Sequence, residues 1–367
     1  MADDKKAKIL SEAGLDHILT SLPSLDPLQN DIIMQSKNSL QKIVDGIKAC
    51  VRNDIRVSVN MVITRTNKND VYETGKFSAS IGCQKFFLTR AVPPTYSQNT
   101  KNDDSNPYFL IKEETKKTLD DALKVKKDCN IRVGSLVSYP LCFLEDLEKY
   151  KDFVGRGCPS QAGHRMSINS NGDLHVCVNE EEKYGNILKS SIEEVYQNQM
   201  RKWYNGSMVY SGCHGCEYID MCASGCQMIS MGFNGETASK DPLFVGPNNV
   251  KKHYKIENNE QIREKIKSHI SFKVRETLRF RKEKDFYLVN IQWGNTISVD
   301  NTIGKFLIDV KSSGKKFTIE DFPNKNIDWV EHLFLKGVIF SDAIEDNPEK
   351  FTFGVSANIE DLPGFHL

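Results

Sequence analysis

The residues with the most chemical potential in this chain are its cysteines, because six of the ten are clustered while Cys50, Cys83, Cys129 and Cys142 are scattered. Six lie between Cys158 and Cys226, and four of those form Cys213-x2-Cys216-x5-Cys222-x3-Cys226. Thiolates are soft ligands suited to zinc or to iron in an iron–sulfur cluster. A two-residue gap lets two sulfurs reach one centre from a tight turn, and Gly212, Gly215 and Gly225 supply the backbone freedom for such turns. Four ligands in so short a stretch could also close a single tetrahedral zinc site. Packing of inert thiols does not account for six cysteines set among glycines. A chain of 367 residues has no need of disulfides to hold a core, so the cluster reads as a ligand set in a reducing compartment, with cytoplasmic localisation expected.

Upstream of the tetrad stand Cys158-Pro159, His164, Asn171-Gly172-Asp173 and Cys177. Asn-Gly-Asp is a hairpin turn signal, which would bring Cys177 back towards the preceding strand. His164, His175 and His214 are expected as hydrogen-bonding neighbours rather than ligands. Cys50 and Cys83 are expected as packed core thiols.

The elements that must position these residues alternate in period. Residues 17–22 are a short apolar run, 40–50 carry a helical stripe (Leu40, Ile43, Val44, Ile47), and 56–64 are β-branched and strand-like. A helix is expected over 70–81, a strand over 85–90, a charged helix over 113–127 and a strand over 131–137. This strand–helix alternation predicts a parallel α/β unit of about four strands, fewer than a full barrel requires. Residues 96–107 read as an exposed loop, 156–250 as loop-rich with one helix over 191–203, and 255–285 as charged and helical. A new small unit follows, with a strand over 286–293, a helix near 303–311, a helix ending near Lys336-Gly337 and a strand over 338–340. Its aromatic residues (Phe286, Tyr287, Trp293, Phe306, Phe317, Trp329, Phe334) form either a small core or a peptide-binding edge.

The remaining arithmetic excludes partners. Lys+Arg and Asp+Glu are both 49, so no global field favours nucleic acid or an anionic membrane. No run of about 18 apolar residues exists, so no membrane-spanning helix is expected. The charged start Met1-Ala2-Asp3-Asp4-Lys5-Lys6 is unlike a secretory signal.

Taken together, Cys158, Asn171-Gly172-Asp173-Leu174-His175-Val176-Cys177, Tyr184-Gly185-Asn186-Ile187, Ser191 to Tyr196 and the cysteine tetrad resemble the SPASM domain of radical S-adenosylmethionine enzymes. Ala13-Gly14-Leu15-Asp16-His17, Ser39-Leu40, Gly46-Ile47, Val59 to Thr64 with Asn67, then Gly82, Phe86-Phe87 and Arg90, are similar to the later half of a radical-enzyme partial barrel. The unit over 285–345 looks like a small winged-helix peptide-recognition domain. The resemblance implies an incomplete (β/α) partial barrel over 1–150 and a SPASM domain over 151–250. A helical linker over 251–284, the winged-helix-like α+β domain and a tail over 346–367 complete the order.

The same resemblance implies one or two auxiliary 4Fe–4S clusters. Cys158, Cys177 and Cys226 would serve the first; Cys213, Cys216 and Cys222 would serve the second. Each lacks a fourth thiolate. Cys142 is a remote candidate for the first, and Asp241, in Lys240-Asp241-Pro242 where the family has a seventh cysteine, a candidate for the second. Asn60 and Thr64, Arg90 and Ser21 would face the pocket for S-adenosylmethionine or substrate, the plainer alternatives being strand caps, a salt bridge and a turn hydroxyl. The implied activity is peptide or protein maturation, with a peptide substrate and an electron donor such as flavodoxin or ferredoxin.

One departure is large. The initiating Cys-x3-Cys-x2-Cys is absent, and no cysteine precedes Cys50. The reading is therefore a truncated or split enzyme, S-adenosylmethionine being bound only if a separate segment or chain supplies the initiating cluster. The alternative is a non-catalytic zinc- or cluster-bearing module that binds a peptide.

Overall fold

The computed structural model describes residues 3–15, 17–93, 109–154, 158, 160–161, 165–204, 208–251, 259–275, 278–290 and 296–344. The loop expected over 96–107, His164, Trp293 and the 346–367 tail lie outside the described residues.

The first unit runs α1 (Asp4–Glu12), β1 (His17–Ser21), α2 (Pro27–Met34), α3 (Ser39–Arg52), β2 (Arg56–Ile63), α4 (Val71–Ser80), β3 (Lys85–Arg90), α5 (Lys112–Cys129), β4 (Arg132–Gly134) and α6 (Leu141–Leu144). Its four strands pair in the order β1-β2-β3-β4, each pair parallel, with Ser21 opposite Asn60 and Ile63 opposite Arg90. A parallel sheet needs cover, and the central strands have it: β3 is buried along its whole length, whereas β1 at the edge is half-exposed. One sheet face carries Val57, Val59, Met61, Phe86 and Leu88 and joins Ile43 and Ile47 of α3 and Leu119, Ala122 and Val125 of α5 in a single core. Cys50 and Cys83 lie in that core, and burial pushes the Cys83 thiol up to about 12. The amphipathic stripe of α3 thus does what its 3.6-residue spacing implied, and the charged helix expected over 113–127 buries Leu119, Ala122 and Val125.

α1 and α2 were not expected. Their starts carry clear signals in retrospect: Asp3 and Asp26 each accept a backbone N–H of the first turn, and Pro27 opens α2. Their charged or mixed composition concealed them from a search for apolar stripes.

The cysteine-rich segment follows with β5 (Ser167–Ile168), β6 (Asp173–His175), β7 (Gly185–Asn186), α7 (Ile192–Val195), a π-helical turn over Tyr196–Met200, α8 (Arg201–Tyr204), α9 (Ile219–Cys222) and α10 (Gln227–Asn234). The first three make an antiparallel sheet in chain order. Trp203, buried at 1% exposure, seals a small core of Leu174, Val176, Val195 and Met228 and donates its indole N–H to the Tyr184 hydroxyl at 2.8 Å.

The last unit contains α11 (Asn259–Lys267), β8 (Lys273–Val274), β9 (Arg279–Lys282), β10 (Phe286–Asn290), β11 (Thr296–Asp300), α12 (Asn301–Ser313), α13 (Ile327–Leu335) and β12 (Ile339–Phe340). Strands β11, β10 and β9 are antiparallel, and β12 pairs with β8. This unit has its own core, from Ile266 to Ile344. Lys273–Val274 and Arg279–Lys282 are a correction to the helical reading of 255–285. They are strands, because Phe272, Val274, Leu278 and Phe280 turn into this core while Arg279 and Arg281 are exposed. Among the described residues, no helix is long and apolar enough to cross a membrane.

Candidate metal centres

Cys158, Cys177 and Cys226 form a first group. Cys177 arrives by the expected hairpin. Its turn is held by the Asn169 side-chain oxygen, which accepts from the backbone N–H of Asn171 at 2.9 Å and of Asp173 at 3.0 Å, with Gly172 at φ +84°. Asn186 on β7 ties the turn down by donating to the Asn171 carbonyl and to Asp173. Lys183, then Asn186 and Asn169, hold the Asp173 carboxyl well below the usual carboxylate range. Cys226 is the N-cap residue of α10.

Backbone N–H groups of Ser160 and Gln161 point at Cys158, that of Asn179 at Cys177 and that of Ile229 at Cys226. The Ser160 hydroxyl lies against both Cys158 and Cys177. Burial raises all three thiols, with Cys226 pushed up to about 12; the neighbouring sulfurs of Cys158 and Cys177 add to the rise. The metal-free group is therefore three neutral thiols, and metal binding must displace their protons.

Cys213, Cys216 and Cys222 form a second group, and Cys142 of α6 is among them rather than near the first. All four line one pocket, whose remaining walls include Leu141, Ile219, Phe244 and Val250. Burial, and after it the Cys142 sulfur, pushes the Cys213 thiol up to about 11. Cys222 is pushed up to about 12 by burial and by Cys142 and Cys213, against the N–H groups of Leu141 and Gly225. Leu141 N–H stands 3.5 Å from the Cys222 sulfur. The expectation that Cys142 would complete the first group is thus corrected. The turn after β4 folds towards α9, not towards the hairpin.

Between the groups lies a buried ion pair. The Arg90 guanidinium donates to both oxygens of Asp241 at 2.8 and 3.0 Å and to the Ser138 carbonyl at 2.9 Å, and it stacks over the Tyr139 ring. Asp241 is 1% exposed, and its oxygens also accept from Leu243 N–H at 2.9 Å and face Cys226 N–H at 3.5 Å. Its lone pairs are committed there, which corrects the expectation of Asp241 as a free ligand. A carboxylate taken wholly out of water is held by its cation.

Arg90 is also displaced from its expected company. Side chains alternate along a strand, and Arg90 shares the face of Phe86 and Leu88. Asn60 projects from the other face, where its side-chain oxygen accepts from the Thr89 hydroxyl at 2.5 Å. Ser21 sits opposite Asn60 in register and is exposed. Thr64 follows β2 and is held by Asn67. Asn60 and Ser21 therefore belong to one polar face, with the contact between His17 and Ser58 at 3.0 Å, and Arg90 does not. The Arg90–Asp241 pairing had no sequence signal, since the two residues are 151 apart in the chain.

Among the described residues, no three Cys, His, Asp or Glu side chains converge on a point from which they could hold one metal ion. Tetrahedral zinc needs four ligands about 2–2.3 Å from one centre. A cluster instead places a separate iron under each thiolate, and so suits sulfurs that face one another across a wider space. The donor set, all thiols, fits iron–sulfur clusters.

Comparison with known proteins agrees. Residues 158–226 match SPASM, described as an iron–sulfur cluster-binding domain. A probable GTP 3',8-cyclase of Sulfolobus acidocaldarius is 26% identical over 204 residues, covering 53% of this chain and 61% of that protein. The PqqA peptide cyclase of Xanthomonas axonopodis pv. citri is 21% identical over 241 residues, covering 64% of this chain and 62% of that one. The chain thus spans about three fifths of the length of these relatives. The structure of native anSMEcpe with bound AdoMet superposes with a TM-score of 0.50 at 15% identity, covering 66% of this chain and 67% of that one, a likeness of fold.

Proposed function

We propose that this chain, a homologue of radical S-adenosylmethionine enzymes whose residues 158–226 are a SPASM iron–sulfur domain, works in the maturation of a peptide or protein by holding two auxiliary 4Fe–4S clusters. The observation that carries the reading is the separation of the thiols into two groups on either side of the Arg90–Asp241 pair, inside the segment that matches the domain. Cys158, Cys177 and Cys226 would hold the first cluster and Cys213, Cys216 and Cys222 the second. A bound cluster supplies electron transfer or a Lewis-acidic iron.

The chain's own residues bury these sites, aim N–H groups at the sulfurs, and tie the domain to the parallel sheet. The polar face bearing Asn60 and Ser21 is the proposed side for S-adenosylmethionine or substrate. The initiating Cys-x3-Cys-x2-Cys is not in these residues, so radical formation would depend on its supply from outside them. The peptide substrate, an electron donor of the flavodoxin or ferredoxin class, and peptide recognition by the last unit are part of the same proposal. The relatedness to a peptide cyclase supports the peptide.

Anaerobic reconstitution tests it. The expected product binds roughly 4–8 irons per chain with matching sulfide, four for each tetranuclear cluster. Cys216→Ala should lose one cluster and Cys226→Ala the other. Stoichiometric zinc without sulfide would support the alternative of a zinc-bearing peptide-binding module and sink this one.

A further inference from the structure

The second thiol group is better furnished than its three-cysteine assignment requires. Cys142 comes from the turn after β4, about seventy residues before Cys213 in the chain, yet it lines the same pocket as Cys213, Cys216 and Cys222. Its placement is built. Arg90 holds the start of the turn through the Ser138 carbonyl at 2.9 Å. Asn249 donates to the Cys142 carbonyl at 3.0 Å and to the Glu145 carboxylate at 3.1 Å. Lys251 N–H donates to the Glu145 carbonyl at 2.9 Å, and Glu145 itself ends α6 at φ +65°, a conformation that persists only where its surroundings fix it. Adjacent to Cys142, the Leu141 N–H is directed at the Cys222 sulfur. Cys142 is 8% exposed and Cys213 7%. By contrast, Asp241 is committed to Arg90 and cannot supply the missing donor without breaking a buried ion pair.

We infer that Cys142 is the fourth thiolate of the second site, making it a closed four-cysteine cluster whose ligands come from both the parallel-sheet unit and the cysteine-rich segment. This rests on the cluster reading of the proposed function and extends it. The first group, with three thiols among the described residues, is then the one with an iron open to another ligand. One site would be a structural and electron-carrying clasp between the two units, and the other the site able to meet substrate or a small exogenous ligand.

The test uses the full chain, Cys142→Ala and Cys142→Ser, each reconstituted anaerobically with iron and sulfide. Electron paramagnetic resonance of the reduced protein and of the protein after mild oxidation gives the readout. The expected result for Cys142→Ala is a loss of at least one iron per chain relative to wild type, a three-iron cluster signal on oxidation in addition to any that the wild type's three-thiol first site gives, and retention of the first site's signal. Iron content and spectra unchanged in both variants would overturn the inference. If Cys142→Ala also loses the first site's signal through misfolding, Cys142→Ser decides. A changed second-site spectrum supports the fourth thiolate, and an unchanged one overturns it. A wild-type chain that takes up neither iron nor sulfide overturns the cluster reading itself, which is distinct from uptake that ignores Cys142.

Discussion

The two thiol groups are neighbours in one segment but are built on different physical plans. The first draws Cys158, Cys177 and Cys226 from a loop, a hairpin and a helix start, and directs several backbone N–H groups at their sulfurs. Arg165 adds positive potential at Cys177, and Arg90 at Cys226. The second is set in a mostly apolar pocket, with four thiols, N–H groups of Leu141 and Gly225 at Cys222, and the Asp241 carboxylate adding negative potential at Cys213. Charge, hydrogen bonds to sulfur and burial set a cluster's potential, so these differences separate the groups in the energy at which each would accept an electron. The Arg90–Asp241 pair is the hinge of the contrast, its cation acting on the Cys226 thiol and its anion on the Cys213 thiol.

Breaking that pair should have the largest effect. Arg90→Ala strands a carboxylate with 1% exposure, and loss of one partner of a buried pair costs about 3–5 kcal/mol. Chemical denaturation of the metal-free protein measures this. A loss below about 1 kcal/mol, the value of a surface pair, would show that the two groups are not held apart by this bridge.

Gly225→Ala should have a smaller effect of the same kind. Gly225 stands at φ +89°, and a Cβ there would lie 2.6 Å from the Asp241 carboxylate and 3.2 Å from Pro140. A left-handed conformation at a non-glycine residue and the displaced carboxylate together should cost about 1–3 kcal/mol. Because Gly225 lies between Cys222 and Cys226, both clusters should load less completely. Loading equal to wild type in iron and sulfide would show that the bridge tolerates the shift.

The smallest effect should be confined to the first group. Glu180, three residues beyond Cys177, has its carboxyl pushed up to about 7 by burial, partly opposed by the Tyr184 hydroxyl at 2.9 Å. The folded state therefore binds this proton more tightly than the unfolded chain, whose carboxyl titrates near 4.5. Its stabilising contribution is complete below about pH 4.5 and is lost as pH rises through about 7. The metal-free wild type should lose stability relative to Glu180→Gln over that interval. Parallel pH profiles for the two proteins would remove Glu180 from the first group's account.

Much of the fold was legible because periodicity is local. The β-branched run of β2, the stripe of α3, the charged helix α5 and the Asn-Gly-Asp turn needed only neighbours in sequence to be seen. The strands β8 and β9 were hidden by charge density, since alternation over two to four residues is too short to compete with a helical composition. α1 and α2 depend on caps and on tertiary contacts such as Arg52 with Asp4 at 2.7 Å, which a search for stripes passes over.

The clustering of six cysteines marked soft thiolate chemistry, because ligand type and short-range spacing are properties of the chain itself, and the resemblance to the SPASM domain implied their division into two sets. The membership of the second set and the occupation of Asp241 were decided only by tertiary structure. Cys142 meets Cys213, Cys216 and Cys222, and Arg90 meets Asp241 across 151 residues, through packing of the parallel sheet against the cysteine-rich segment. Burial then made the choice between partners. In water a carboxylate can serve a metal or an arginine, but once enclosed beside a guanidinium it is committed, and a thiol from a distant turn is left as the donor in reach.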